Sequence, residues 1–255
     1  MTMDKPGSGH LISTKGGDGK LCLQFLGDSI TEDGTYITCM QEAVRQQLPE
    51  LAIAWINDGR SSETVSGLSE PDHPGPRPYL HDRLGEVLSI AQPDWVVLCY
   101  GMNDGIYYPY AEERFQAYRE GYLRAVEQIR ASGAQVIAVT PPPFDPGSVS
   151  EGVQAISDEN RAAYSYLEPY ARYSEEVLRR YADWVLTLKT EAGCADVVNI
   201  HDPVLAYIRA GRDTDPGFRY GDGIHPDVGG HRVIASELLD RLFGIQVPKR
   251  PFLSS

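Results

Sequence analysis

The sequence predicts one α/β domain, a five-stranded parallel sheet covered by helices on both faces, and three observations point to it. Five short apolar runs recur along the chain: LCLQF (21–25), LAIAWI (51–56), DWVVLCY (94–100), AQVIAV (134–139) and ADVVNI (195–200), which read as buried strands. Longer stretches with apolar residues three or four apart separate them, and strand–helix alternation implies parallel pairing. A chain of 255 residues that is 42% hydrophobic and 23% charged is long enough for a sizeable core, and such usage excludes wholesale disorder and fibrous repeats.

Taken in order, the elements follow from the residues. Residues 1–19 are glycine-rich with little hydrophobic pattern and read as a flexible arm, the single domain beginning near Lys20 and running to 255. Gly16-Gly17-Asp18-Gly19-Lys20 faintly resembles a phosphate loop but lacks the full glycine spacing and the Ser or Thr after lysine. Between the third and fourth runs, Phe115, Tyr118, Tyr122, Val126 and Ile129 line one helix face. Val177, Leu178, Tyr181, Trp184, Val185 and Leu188 predict a second helix, and Val233, Ile234, Leu238 and Leu242 the last one. The connection at 141–175 is proline-rich and polar; it reads as an insertion outside the core, of a length used for lids and binding walls.

Charge narrows the function. Against 23 Lys and Arg stand 36 Asp and Glu, a net −13, and such a surface repels nucleic-acid phosphates and anionic lipid. No segment approaches the roughly 20 apolar residues of a membrane span. The first residues lack the apolar core of a secretory signal, which places the chain, as it begins here, in the cytoplasm. Cys22, Cys39, Cys99 and Cys194 are far apart and read as buried free thiols; with the histidines equally scattered, no metal site is expected.

In an open parallel sheet the ligand crevice lies beyond the carboxyl ends of the strands. The first strand runs into Gly27-Asp28-Ser29-Ile30-Thr31, the second into Asn57-Asp58-Gly59 and the third into Gly101-Met102-Asn103-Asp104, while Asp222-Gly223-Ile224-His225-Pro226 precedes the last helix. A serine hydroxyl becomes nucleophilic when a neighbouring base takes its proton, and a histidine base needs an acid to fix its tautomer. Ser29, His225 and Asp222 supply those roles. Developing negative charge on a carbonyl oxygen needs preorganised donors, for which Ser29 N–H, Gly59 N–H and the Asn103 amide are the candidates. Plainer readings exist for each: a helix cap at Asp28 and Ser29, an Asp-Gly turn at 222–225, turns at Asn103 and Gly59. His231 reads as packing, and His201-Asp202 as a strand end and helix start. Ile106-Tyr107-Tyr108-Pro109-Tyr110 reads either as a wall beside Asn103 or as a tyrosine cover on an exposed loop. Arg60 suits a substrate carboxylate or a surface acid equally.

With these four blocks in order, the chain resembles the SGNH hydrolases, the GDSL-type esterases and lipases, from about Leu21 to Leu242. The resemblance implies a three-layer α/β/α sandwich with flavodoxin-like strand order, Ser29 as nucleophile, His225 as base, Asp222 as its partner, and an oxyanion hole of Ser29 N–H, Gly59 N–H and the Asn103 amide. One departure stands in the second block, where family members often carry a second glycine three residues after the first and this chain has Ser62. The Gly-x-Ser-x-Gly of the nucleophile elbow is absent. The expected activity is hydrolysis of carboxylic esters through an acyl-enzyme, with short acyl or acetyl groups on a small molecule or glycan and no cofactor. A lipase, lysophospholipase or thioesterase of the same family, a non-catalytic carbohydrate-binding module and a flavodoxin-like cofactor protein are the alternatives. An ordinary imidazole would put the acid limb of activity near roughly pH 6.5.

Overall fold

The computed structural model describes residues 11–12 and 20–247. The strands are β1 (Leu21–Gly27), β2 (Ile53–Gly59), β3 (Trp95–Cys99), β4 (Gln135–Val139) and β5 (Asp196–Val198). All pairs are parallel, in the order β2-β1-β3-β4-β5. The order reverses between β1 and β3, the place where such sheets open a crevice at their carboxyl ends. Gly27, the last residue of β1, is level with Gly59 on one side and Cys99 on the other, so the three loops that follow leave the sheet side by side.

The helices are α1 (Ser29–Asp33), α2 (Thr35–Gln47), α3 (Leu84–Ala91), α4 (Glu112–Ala131), α5 (Arg179–Val185), α6 (Leu188–Glu191), α7 (His201–Thr214) and α8 (Val228–Phe243). The pleat of β1 sends alternate side chains to opposite layers. Phe25 meets Tyr36 of α2 edge-on at 6.0 Å, while Gln24 reaches Asp58 at 2.6 Å and the Val87 carbonyl of α3 at 3.4 Å. Helices α2, α7 and α8 pack together, and α3 packs beside α4. In α4 the predicted stripe is buried at Tyr118, Tyr122, Val126 and Ile129, and Tyr118 stacks on Tyr181 of α5 at 4.3 Å. No helix among the described residues is long and apolar enough to cross a membrane.

Three sequence expectations change. The helix read across 177–188 is a π-helical turn, Ser174–Leu178, followed by α5 and α6. The insertion at 141–175 is only partly outside the core: Pro141 through Asp145 are buried, as are Tyr164, Tyr170 and Tyr173, while residues 149–163 are half-buried or exposed. Prolines carry no N–H, which leaves only their carbonyls to be satisfied when such a run lies inside. Most of the arm expected at 1–19 lies outside the described residues, but Ile12 is buried and donates its N–H to Leu242 of α8 at 2.9 Å. The described cysteines are free, with Cys194 buried and Cys22, Cys39 and Cys99 half-buried.

Candidate active site

Ser29 opens α1 directly beyond β1. Asp28 caps the helix, its Oδ1 accepting Ile30 N–H at 3.0 Å, while its carbonyl accepts Thr31 and Glu32 N–H at 3.1 and 2.9 Å. Ser29 N–H is left over, as a first-turn amide is in any helix. Gly34, in left-handed geometry at φ 76°, ends this short helix and lets α2 start at a new angle.

The loop before α8 brings the remaining groups to Ser29. Ser29 Oγ lies 2.8 Å from His225 Nε2, and His225 Nδ1 lies 2.8 Å from Asp222 Oδ2. The other carboxylate oxygen of Asp222 accepts the backbone N–H of Ile224 at 2.9 Å and of His225 at 2.7 Å, so the acid is fixed by the same turn that carries the base. A carboxylate at Nδ1 selects the tautomer with its proton there, which leaves the lone pair of Nε2 facing the serine. The Asp222 hydrogen bond holds the imidazole pKa above its ordinary value despite burial. Burial pushes the Asp222 carboxyl up, but the hydrogen bonds from His225 outweigh it and bring the group down to about 2.

The loop after β3 carries Asn103, which is buried. Its Nδ2 donates to the Glu63 carbonyl at 3.3 Å and its Oδ1 accepts from Tyr107 Oη at 3.0 Å. The amide is thereby held at both ends, with one of its two N–H bonds to spare. Tyr107 is 2% exposed, so the first tyrosine of the aromatic run is neither a surface cover nor an open stacking platform; its hydroxyl holds Asn103. Asp104 binds this loop to the one after β2: its Oδ1 accepts Val65 and Ser66 N–H, both at 2.9 Å. Burial raises the Asp104 carboxyl to about 7.

Gly59 sits differently from its expected role. Its N–H donates to Asn57 Oδ1 at 2.9 Å, which takes it away from a substrate oxygen. What the position requires is the missing side chain, because a Cβ would lie 2.6 Å from Thr31 C and 2.7 Å from Glu32 Cα, and nearer still to Glu32 N. Asn57 completes the contact by donating to the Thr31 carbonyl at 2.8 Å. Ser62, where the second glycine is expected, has φ 63°, a left-handed geometry uncommon outside glycine. Its N–H makes no hydrogen bond to a described residue.

The remaining sequence candidates fall outside this arrangement. His231 is buried, stacks on Tyr36 at 6.2 Å and lies 3.4 Å from Asp33 through Nε2. His201 starts α7 with Nδ1 3.0 Å from the Pro141 carbonyl, and burial lowers its pKa to about 4. Arg60 is exposed. A groove of about 330 Å³ opens beside Ser29 and His225, walled by Glu32, Asp33, Ser61 and His231. The insertion braces the acid–base loop: Asp145 N–H donates to the Gly223 carbonyl at 2.8 Å, and Ser148 Oγ accepts Tyr220 N–H at 2.8 Å.

A nucleophile opening the first helix, a base and acid on the last loop, and a parallel sheet of this order are features of a hydrolase class. The chain belongs to the GDSL-like Lipase/Acylhydrolase family, which matches residues 25–233, and with its fold this makes it an SGNH-type ester hydrolase. Among solved structures it is similar to BT4096, a gut microbial diltiazem-metabolizing enzyme, with 20% identity and a TM-score of 0.65 over 92% of this chain; the chain spans 49% of that protein's length. It is also similar to a tryptophan variant of Axe2, an acetyl xylan esterase from Geobacillus stearothermophilus, with 20% identity and a TM-score of 0.61 over 90% of this chain and 97% of that one. A catalytic mutant of the same esterase gives 22% identity and a TM-score of 0.62 over 93% and 100%. No curated protein matches. At these identities the solved structures establish the shared fold.

Proposed function

We propose that the chain is a metal-independent serine esterase that removes short acyl groups, acetyl above all, from a hydroxyl-rich alcohol such as a sugar. The observation that carries the reading is the unbroken hydrogen-bond chain from Ser29 Oγ through His225 to Asp222, both links at 2.8 Å. As Ser29 Oγ attacks the ester carbonyl, its proton passes to His225 Nε2, and Asp222 stabilises the imidazolium. The tetrahedral oxyanion is met by Ser29 N–H, the spare Asn103 N–H and, in place of Gly59, the N–H of Ser62. Collapse breaks the ester C–O bond, and the alcohol leaves with the His225 proton. Water then attacks the acyl-enzyme, giving its proton to His225, and the acid departs as the proton returns to Ser29 Oγ.

Support for the alcohol comes from the groove beside Ser29. Its carboxylates Glu32 and Asp33 and the hydroxyl of Ser61 suit sugar hydroxyls better than a hydrocarbon chain, and the Axe2 structures are those of an acetyl xylan esterase. The test compares p-nitrophenyl acetate with p-nitrophenyl octanoate, wild type beside Ser29→Ala, with chelator present, followed by acetylated xylo-oligosaccharides. The expected result is chelator-resistant acetate turnover that falls on the order of 10⁴-fold or more in Ser29→Ala. Turnover that survives Ser29→Ala overturns the mechanism, and a preference for octanoate overturns the acetyl specificity.

A further inference from the structure

Arg77 lies far from the motif blocks in sequence and is 5% exposed. Its Nε and Nη2 each donate to a separate oxygen of Glu70 at 2.6 Å, a planar fork in which both side chains are buried. Neutralising Glu70 uses only one edge of the guanidinium. The third nitrogen, Nη1, donates to the Ser62 carbonyl at 3.3 Å, and the guanidinium carbon lies 5.5 Å from the centroid of the Tyr107 ring. Tyr107 in turn donates its hydroxyl to Asn103. One cation therefore touches both loop donors' surroundings: the carbonyl of Ser62, whose own N–H is one donor, and the Tyr107 ring, whose hydroxyl holds the Asn103 amide.

These contacts fall where the backbone is strained. Among the described residues four non-glycine residues have positive φ: Ser62, Gln92, Ile106 and Tyr107. One of them, Ser62, is itself a donor, Ile106 and Tyr107 follow Asn103 in its loop, and Arg77 touches Ser62 and Tyr107. Residues in such geometry persist only when their surroundings over-determine them. The loop has a second anchor on the other side of Ser62, where the Glu63 carboxylate is held by Arg83 at 2.7 and 2.6 Å and by Tyr100 Oη at 2.5 Å. That pair fixes the Glu63 side chain, while the Ser62–Glu63 peptide is held at its N–H by the Arg60 carbonyl at 3.2 Å and at its carbonyl by Arg77.

We propose that Arg77, held by Glu70, is a positioning residue that sets the two loop donors, Ser62 N–H and the Asn103 amide, against the transition-state oxyanion. The proposal rests on the esterase reading and on Ser62 as donor. A purely structural Arg77 would serve only to neutralise Glu70, a task lysine also performs; positioning needs the fork, which lysine lacks. The experiment is steady-state hydrolysis of p-nitrophenyl acetate by wild type, Ser29→Ala, Arg77→Lys and Tyr107→Phe, with thermal melting of each.

In Arg77→Lys the melting transition stays cooperative, KM changes less than about threefold and kcat falls about 10- to 100-fold, the range expected when transition-state donors are displaced by a fraction of an ångström to 1 Å. Tyr107→Phe, which keeps the ring under the guanidinium and removes only the bond to Asn103, lowers kcat in the same direction with KM held. The acid limb of the pH profile, set by His225, stays in place in both. Full kcat in Arg77→Lys overturns the proposal while leaving the esterase reading intact if turnover still depends on Ser29. A loss carried by KM or by a shifted acid limb also overturns it. Turnover that survives Ser29→Ala overturns both readings. If Arg77→Lys loses its folded transition, Tyr107→Phe decides: unchanged kcat there refutes the coupling.

Discussion

Gly59→Ala separates two accounts of one glycine. The added methyl would stand 2.6 and 2.7 Å from Thr31 C and Glu32 Cα, so reaching ordinary van der Waals separation demands a shift of about 0.9 Å or more. The atoms in the way are backbone of α1, whose other end carries Ser29, and they cannot rotate aside as a side chain would. Overpacking of this kind costs about 1–3 kcal/mol, or roughly 3–10 °C in Tm for a domain of this size. Moving Ser29 relative to His225 by the same fraction of an ångström lowers kcat on the order of 10- to 100-fold. Thermal melting and acetate-ester kinetics on one preparation measure both. Wild-type values in both assays refute the close-packing argument, and so does a kcat loss with unchanged Tm.

Three further outcomes follow from the geometry of the site. His225 acts as a base only when neutral, and the Asp222 hydrogen bond raises its pKa; the acid limb of kcat/KM therefore lies above the ordinary imidazole value near 6.5, and activity declines as pH falls through it. Asp222→Asn removes that support, moving the limb to lower pH while reducing kcat by about 10⁴-fold, as a pH–rate profile of the two proteins reads directly. Ser62→Gly relieves a left-handed residue worth roughly 1 kcal/mol and keeps the N–H, so Tm rises by a few degrees with kcat within about threefold of wild type; a drop in Tm refutes the strain argument at this position.

Much of the architecture is legible in the sequence because each strand is a short apolar run and α4 and α8 carry long periodic stripes. The Ser29, Asn103 and Asp222–His225 blocks are legible for the same reason: each follows a recognisable strand or precedes a recognisable helix. The loop from Gly59 to Arg83 is not. Glu63, Glu70 and Arg77 fall seven residues apart with Arg83 six further on, but nothing in their order says that Glu63 pairs with Arg83 and Glu70 with Arg77. Those pairings exist because the loop folds over the crevice edge, a tertiary event. Ser62 left a sequence signal, a serine where a glycine is usual, but only its φ of 63° connects the substitution to a backbone that still adopts the glycine conformation. The 141–175 stretch misled for the opposite reason: its prolines resemble an exposed linker, whereas five successive residues from Pro141 are buried.

The nucleophile and its base are separated by 196 positions, and this distance along the chain has a consequence in time. During synthesis Ser29, the loop after β2 and Asn103 emerge early, yet a hydroxyl without His225 is inert. The base arrives just ahead of α8, and α8 must dock on α2, with His231 stacking on Tyr36, before the imidazole can meet the serine. A chain that ends before His225 therefore carries the nucleophile without its base. Hydrolytic competence requires that the two ends of the domain have closed on each other.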